Sequence, residues 1–457
     1  MPAEFADAAL PNSDGPRSLY RRVIGGFGLA LVAATWKLWT GQTDFPRVPL
    51  VFSLPGVGPL PALPTAVDRC AGGLIVIGLI SLLLPDRPPA ETGFRAPTWR
   101  DGVRWVALCM PAGFLAAVLL DQHRLQPWAY QMAALCLLFV FLPSHATIRL
   151  ARLLTVGIYA WSALGKLDFQ FIHTVGAQLI STLLAFLRID ADQVAHQKLA
   201  HAALVLPIGE LLVACMLIPR RLRRLGVIAA VAMHSTLILT LGPFGLDHEP
   251  GVLLWNGLFI GQAIVLFWPR QWKATSDAEA SSLTKAAASP TTDPATVNMP
   301  PSGISWRSLA GTVMISLMLV LPFGERWGRW DHWLSWALYA PHSSRLQFWV
   351  APRAVERLPG ELQELMQKSP TNQWGWRAVP LDRWSLQTLD APIYPQQRFQ
   401  VGVVIAVVQQ AQLDQQFSVE LRDVSSRWSG QRQVRQLHSL DELRRAATAY
   451  RFNALPD

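Results

Sequence analysis

Three polar residues that stand in apolar segments could carry chemistry. Lys166 ends an apolar run, and Glu210 and His234 lie inside two later ones. Titratable groups at membrane depth are costly, so they are retained mainly where they meet a cavity, a partner charge or a polar ligand. A desolvated lysine can act as a base or bind an anionic group, and a carboxylate beside an imidazole can exchange protons. We therefore predict Lys166, Glu210 and His234 as catalytic residues of an intramembrane site.

The spacing along the chain predicts where these residues lie in the membrane. Glu210 precedes and His234 follows the arginine-rich loop 220–224 by about ten residues each. Two antiparallel helices joined by this loop would place both side chains face to face, roughly 15 Å from the inner surface. Lys166 follows Arg152 by about 14 residues, so it lies roughly 21 Å further along its own helix, towards the outer side.

Simpler interpretations of the same residues stay open. Lys166 could extend outward and pair with Asp168, and Glu210 and His234 could only join two helices through a hydrogen bond. The segment 169–201 carries several potential metal ligands at irregular spacing, which favours a solvated amphipathic loop helix: His173, Asp190, Asp192, His196 and His201. The four cysteines form no CxxC pair, and we expect no metal site.

Composition predicts an all-α polytopic membrane bundle. Hydrophobic residues make up 51% of the 457 residues and charged residues only 16%, which is unusual for a water-soluble protein. Apolar stretches of about 20 residues can cross the roughly 30 Å hydrocarbon core. About nine such spans lie near 23–41, 66–84, 103–120, 128–145, 151–169, 202–219, 225–243, 251–268 and 306–323.

Arginine placement predicts the orientation of these spans, because short loops rich in Lys and Arg stay on the cytoplasmic side. Basic residues precede the first span and occupy alternate loops, as in 220–224, whereas the loop 242–250 has acids and no Lys or Arg. The N-terminus is therefore predicted inside and the C-terminus outside, in a cytoplasmic (inner) membrane. Basic loops beside an anionic lipid bilayer explain the net charge of +9, so no nucleic acid partner is needed.

Composition changes along the chain divide it into five parts. We predict a cytoplasmic tail 1–22, an eight-span core 23–272, a flexible cytoplasmic linker 273–304, a ninth span with an aromatic interfacial segment 305–339, and an extracytoplasmic α+β domain 340–457. In the last part, alternating residues predict strands over 344–350 and 417–422. The remaining patterns predict a helix over 354–367 and a short buried helix over 399–408.

The ordered array Tyr159, Gly165-Lys166-Leu167-Asp168, Glu210 and His234 resembles the transmembrane module of vitamin K-dependent gamma-carboxylases and their bacterial HTTM relatives. The Gly-Lys helix end is also similar to that of the DoxX and MauE families, which are associated with redox pathways. The resemblance covers about residues 20–270. It implies that Lys166 is a base acting on a quinol, that His234 and Glu210 belong to the same core, and that Tyr159 contacts the cofactor.

A second helix end looks like a copy of the first. Trp36-Lys37-Leu38 ends the first span much as Gly165-Lys166-Leu167 ends the fifth, so we predict Lys37 as a further cofactor-binding residue. The chain departs from the carboxylases in lacking their large lumenal region. This departure disfavours glutamate carboxylation and leaves a quinone or lipid-like ligand.

Two classes of function remain open from the sequence. The first is an enzyme, either a quinone-linked oxidoreductase or a carboxylase-like protein, with the Lys166 site at its centre. The second is a non-enzymatic scaffold or accessory subunit that presents 340–457 to an extracytoplasmic protein partner. Transport is less favoured, because no pair of spans carries matched Gly or Pro interruptions.

Overall fold

The computed structural model describes residues 15–50, 53–54, 58–59, 65–85, 99–268, 306–339 and 341–456. The predicted linker 273–304 lies outside the described residues, as does most of the predicted tail 1–22. The helix α1 already begins at Gly15, so the end of that tail belongs to the bundle.

The first part of the described chain is helical apart from one small antiparallel hairpin, β1 (Ser53–Leu54) with β2 (Gly58–Pro59). Its helices are α1 (Gly15–Ala34), α2 (Trp36–Thr40), α3 (Thr65–Ser81), α4 (Trp99–Val106), α5 (Cys109–Leu120), α6 (Pro127–Phe141), α7 (Ser144–Lys166), α8 (Phe169–His173), α9 (Val175–Phe186), α10 (His196–Ala203), α11 (Val205–Leu217), α12 (Arg223–Leu241), α13 (Pro250–Phe267) and α14 (Trp306–Val320). Short 3-10 helices cover Gln122–Arg124, Ala191–Gln193 and Leu321–Trp327.

Six helical segments of the described chain are long and apolar enough to cross a membrane: Gly102–Leu120, Phe169–Phe186, His196–Leu217, Arg223–Leu241, Pro250–Phe267 and Trp306–Trp327. This is the pattern of a multi-pass membrane protein in contact with a lipid bilayer. The predicted count of about nine is not confirmed, because α1, α3, α6 and α7 are present but are shorter or less apolar.

One of the six segments departs from the sequence prediction. Phe169–Phe186 lies in the stretch that was expected to form a solvated loop helix, yet it is apolar and little of it is buried by the protein. The acids of that stretch lie beyond it, where Asp190 caps the 3-10 helix Ala191–Gln193. The segment Phe169–Phe186, which comprises α8 and α9, therefore has the length and composition of a membrane span.

Arginines bind the carboxyl ends of several helices at one end of the bundle. Arg17 donates to the carbonyl of Phe139 at 2.5 Å, and Arg152 Nε donates to Leu266 O at 2.6 Å. Arg21 and Arg104 likewise reach the carbonyls of Leu84 and Val140. The last carbonyls of a helix lack partners within it and carry partial negative charge. Basic residues that the sequence predicts at the inner side thus satisfy carbonyls at the carboxyl ends of helices.

Glycines allow α3 and α5 to pack with their backbones in contact. A Cβ at Gly78 would overlap the backbone of Met110, and a Cβ at Gly113 would come within 2.6 Å of Ala71 O. Small residues at such crossings are typical of helix pairs in membranes, where close backbone packing replaces the hydrophobic effect as the source of association.

The C-terminal domain is α+β, as the sequence predicts. Its antiparallel sheet has the order β4-β3-β5-β6, in which β3 is Arg345–Val350, β4 Arg377–Ala378, β5 Phe417–Arg422 and β6 Val434–Leu437. Its helices are α15 (Gly360–Met366), α16 (Leu381–Leu389), α17 (Gln397–Gln410) and α18 (Leu440–Thr448). Strands β3 and β5 and the buried helix α17 confirm three of the predicted elements.

The predicted helix over 354–367 is wrong as a single element. A 3-10 helix, Pro352–Arg357, precedes α15, and the break falls at Leu358 and Pro359. Proline disfavours helical conformation in the residue before it. The chain therefore becomes extended at Leu358 and begins a new helix at Gly360.

The C-terminal domain packs on loops at one end of the bundle, opposite the end where Arg17 and Arg152 bind helix carbonyls. His123 Nε2 donates to the carbonyl of Pro392 at 2.9 Å, and Arg398 Nε donates to Gln122 Oε1 at 2.7 Å. Lys37 forms an ion pair with Asp390 at 3.1 Å. The bundle and the domain therefore share buried polar contacts and are packed together.

We expect Gly78→Ala to lower the free energy of unfolding by about 1–3 kcal/mol, because overpacking forces two helices apart. The matched control is Gly73→Ala in the same helix, since a Cβ there meets nothing within 4 Å. Thermal unfolding in detergent, followed by tryptophan fluorescence, measures both. Equal midpoints for the two variants would contradict close backbone packing of α3 on α5.

His123 should make stability depend on pH. Burial lowers the pKa of His123 from its usual 6.5 to about 4. The unfolded chain then binds the proton more readily than the folded chain between these values, so stability is present above about pH 6.5 and is lost as the pH falls towards about 4. Burial also raises the pKa of the neighbouring Asp121 to about 6, which acts in the opposite direction as the pH falls.

A comparison of wild type with His123→Gln separates the two effects, because Asp121 is common to both. The stability advantage of wild type should be about 2 kcal/mol smaller at about pH 5 than at about pH 7.5. Chemical denaturation in detergent at both pH values measures this difference. An advantage that does not change with pH would show that His123 is not buried in its neutral form.

Candidate functional site

Helix α7 presents a polar stripe towards the bundle interior. Thr155, Tyr159, Ser162 and Lys166 follow each other at intervals of four, three and four residues, so they lie on one helix face. The stripe covers about 16 Å of the helix axis. Apolar residues that pack in the core occupy neighbouring positions of α7, including Leu154 and Ile158.

Lys166 and Glu210 form an ion pair that joins α7 to α11. The distance from Lys166 Nζ to Glu210 Oε2 is 2.6 Å, and Nζ also donates to Ser162 Oγ at 2.8 Å. The two charged side chains are only 14% and 12% exposed. Separating the two charges would leave each of them unpaired in poorly solvated surroundings, and this cost holds the pair together.

His234 belongs to a second hydrogen-bonded chain, which meets α7 about two helical turns before Lys166. Tyr159 Oη lies 2.9 Å from His234 Nε2, and His234 Nδ1 lies 2.8 Å from Asn256 Oδ1. The amide of Asn256 donates from Nδ2 to the carbonyl of Val252 at 2.9 Å, which fixes Oδ1 towards the imidazole.

This arrangement assigns the proton of the neutral imidazole. Because Asn256 Oδ1 can only accept, His234 carries its hydrogen on Nδ1, and its Nε2 accepts the hydroxyl proton of Tyr159. Phe259 stacks on the imidazole with ring centroids 5.1 Å apart. His234 is therefore oriented as a hydrogen-bond acceptor for Tyr159.

The other end of the stripe meets a buried amide network. Gln262 Oε1 accepts from Tyr20 Oη at 3.0 Å and from Gln131 Nε2 at 3.1 Å, and Thr155 Oγ1 lies 3.4 Å away. Gln262 Nε2 is buried and has no hydrogen-bond partner among the described residues. The polar interior thus extends from α11 through α7 to α13, α6 and α1.

The side-chain pairs in the structure differ from the pair that the sequence predicted. Glu210 pairs with Lys166 and does not pair with His234, whose two ring nitrogens contact Tyr159 and Asn256. The two residues lie on adjacent helices, as predicted, but the rotation of those helices gives each a different partner on α7 or α13. The predicted face-to-face pair is therefore wrong.

The structure also shows the partners of Asp168 and Lys37. Asp168 does not bind Lys166; its Oδ1 caps α8 by accepting from the amides of Gln170 and Phe171 at 2.9 and 3.2 Å. Lys37 lies at the docked C-terminal domain, paired with Asp390. Tyr159 contacts the His234 chain directly, whereas Lys37 is engaged elsewhere and its predicted role in cofactor binding stays a prediction.

No family model, curated protein or solved structure matches this chain.

Sequence reasoning missed Asn256, Ser162 and Thr155, although a signal for two of them was present. Thr155, Tyr159, Ser162 and Lys166 form a helical period in the printed sequence, so the stripe could have been read from spacing alone. Asn256 had no such signal. Its part in the site depends on the packing of α12 against α13.

We expect Glu210→Leu to destabilise the protein at the lower end of the roughly 3–5 kcal/mol that breaking a buried ion pair costs, because it leaves the Lys166 ammonium without its counter-charge. The double variant Lys166→Met, Glu210→Leu should be more stable than the sum of the single effects predicts. Unfolding in detergent measures all variants, with the exposed Lys198→Met as control. Additive single effects would contradict the pair.

Proposed function

We propose that this chain is a multi-pass membrane protein of the cytoplasmic membrane that binds a quinone or similar hydroxylated lipid at the Lys166–Glu210 pair and exchanges protons with it. The proposal includes a relationship of the membrane core to the HTTM and DoxX or MauE proteins. One observation carries it: a charged pair and a neutral Tyr-His-Asn chain share one face of α7 among apolar helices.

The hydrogen-bond capacity of Lys166 supports a ligand. An ammonium has three N–H groups, and the contacts to Ser162 and Glu210 use two of them. Among the residues that the structure describes, the third has no assigned acceptor. A quinone carbonyl or a quinol hydroxyl supplies an oxygen of the kind that this N–H would bind.

Proton transfer at the pair conserves its overall charge. Lys166 passes a proton from Nζ to Glu210 Oε2, which makes both groups neutral, and the free amine then accepts a proton from the quinol hydroxyl. The resulting ammonium stabilises the quinol anion by direct charge contact. The electrons that leave a quinol need an acceptor of their own, so the proposal is confined to binding and proton transfer.

Tyr159 and His234 can extend this exchange along the stripe. Tyr159 donates to His234, so its oxygen retains lone pairs that can accept a hydrogen bond from a ligand hydroxyl. Tyr159 also lies close enough to Glu210 for the two to interact electrostatically. A ligand between these groups would be in contact with both the ion pair and the neutral chain.

The test is the quinone content of the purified protein. Protein purified in a mild detergent is extracted, and its quinones are quantified by mass spectrometry for wild type and Lys166→Ala. Loss of one charged hydrogen bond, worth roughly 1.5–3 kcal/mol, should reduce the bound quinone by about tenfold or more.

Two controls separate binding from folding. Lys198→Ala removes an exposed lysine and should leave the quinone content unchanged. The double variant Lys166→Met, Glu210→Gln keeps the site neutral and should fold, yet it should also lose quinone. If all four proteins carry the same amount of quinone, or none carries any, the binding proposal fails.

A second candidate function is a scaffold or accessory role through the C-terminal domain. The observation that favours it is Trp374, which is 64% exposed in a loop of the C-terminal domain. Exposed tryptophans are frequent at protein interfaces. Cross-linking of a protein partner that depends on Trp374, with no effect of Lys166→Ala, would favour this role over ligand binding.

A further inference from the structure

A second polar cluster lies where α14 ends and the C-terminal domain begins. Glu325, His332 and His342 are buried, and one potential ligand atom from each lies within 4.8 Å of the others. His332 Nδ1 is 3.1 Å and His342 Nε2 is 2.7 Å from the same oxygen, Glu325 Oε1. Two imidazole nitrogens thus converge on one carboxylate oxygen.

The backbone around the cluster is held on several sides. Glu325 lies in the 3-10 helix Leu321–Trp327, and the carbonyl of His332 accepts from the amides of Ser335 and Ala337. The carbonyl of His342 accepts from the amide of Ser425 at 2.9 Å. The three side chains are therefore presented by segments that already have fixed positions.

Two buried polar atoms beside the cluster lack partners among the described residues. They are His342 Nδ1 and Asp168 Oδ2, and their residues interact electrostatically. A cavity of about 60 Å³ also adjoins Glu325, and it is lined by Gly165 and Arg427 among others. Because a buried water needs roughly 10–15 Å³ of such space, the cavity has room for solvent beside the carboxylate.

We propose that Glu325, His332 and His342 form a binding site for one divalent transition-metal ion of the zinc type. Two imidazoles and a carboxylate are a donor set that suits zinc, with water from the adjoining cavity as the fourth ligand. The ion would bind Glu325 Oε1, His332 Nδ1 and His342 Nε2.

The present geometry needs only a small adjustment to hold the ion. Zinc bound at about 2.0–2.2 Å in a tetrahedral site separates its ligand atoms by about 3.3–3.5 Å. The two nitrogens are 3.1 and 2.7 Å from Glu325 Oε1, so the first separation must lengthen by about 0.2–0.4 Å and the second by about 0.6–0.8 Å. The ion takes the place of the two hydrogens that now lie between nitrogen and oxygen, and each neutral imidazole then carries its proton on its other ring nitrogen, which is Nε2 in His332 and Nδ1 in His342.

Arg427 supports the carboxylate from its other side. Its Nη2 donates to Glu325 Oε2 at 3.1 Å, which leaves Oε1 for the ion and fixes the rotation of the carboxylate. Outer hydrogen bonds of this kind commonly orient the ligands of metal sites. Arg427 Nη2 also lies 3.3 Å from His342 Nε2, and the positive charge of the guanidinium opposes the ion. We therefore expect a site that is occupied by a tightly coordinating ion such as zinc rather than by magnesium or calcium.

The same arginine joins this site to α7. Arg427 Nη1 donates to the carbonyl of Leu164, and the carbonyl of Arg427 accepts from the amide of Phe169 at 2.7 Å. A bound ion would thus fix the C-terminal domain against the end of the helix that carries Lys166. This makes the ion structural, and its removal should destabilise the folded protein.

The experiment measures metal in the whole protein, purified without a histidine tag and dialysed against zinc-free buffer. Inductively coupled plasma mass spectrometry should find about one zinc per chain, either as purified or after incubation with zinc chloride and removal of excess. Extraction with a chelator should lower the unfolding midpoint, and added zinc should restore it. Cobalt substitution should give the visible absorption of a tetrahedral nitrogen and oxygen site.

The variants Glu325→Gln and His342→Ala locate the ion, and His438→Ala is the matched control because His438 is exposed in the same domain. We expect both cluster variants to lose the zinc and the control to retain it. Retention of zinc by a cluster variant would overturn the assignment. Should a cluster variant fail to fold, the wild-type measurements decide: wild type that binds no zinc and shows no response to chelator or added zinc would also overturn it.

Discussion

A charge in apolar surroundings is stable only beside a partner, and this constraint organises the molecule. Lys166 finds Glu210, and the pair joins two helices of the bundle. Asp68 at the start of α3 is likewise buried and accepts from Arg47 at 2.8 Å and from Arg124. Because an unpaired buried charge costs several kcal/mol, each pairing restricts how the helices can rotate. The polar residues therefore specify the arrangement that the apolar residues merely permit.

Helix α7 contacts the polar site, the C-terminal domain and α14. One face of it carries the polar stripe from Thr155 to Lys166, and its last carbonyls meet Arg427 from the C-terminal domain. Trp161 Nε1 donates to the carbonyl of Leu319 at 2.9 Å, which adds α14 to the same helix. Because α7 contacts both the other residues of the polar site and the C-terminal domain, a structural change at either one would alter the surroundings of α7.

Local sequence patterns predicted several elements well. Alternation of apolar and polar residues predicted β3 and β5, and an apolar stretch too short to cross a membrane predicted the buried helix α17. Composition identified the apolar helices, although the number of spans did not follow from it, because helices such as α6 have only 15 residues and depend on burial by their neighbours. Pro359 breaks the helix that was predicted over 354–367. The proline in the sequence already indicated this break, because the residue before a proline disfavours helical conformation.

The sequence by itself determined which residues are polar in apolar surroundings, and the period that places four of them on one face of α7. It could not determine their partners. A helical period fixes a side chain's direction relative to its own axis, but the rotation of α11, α12 and α13 about theirs depends on packing across the whole bundle. Only the tertiary structure therefore decided that Lys166 meets Glu210, that His234 meets Tyr159 and Asn256, and that Glu325 lies between His332 and His342.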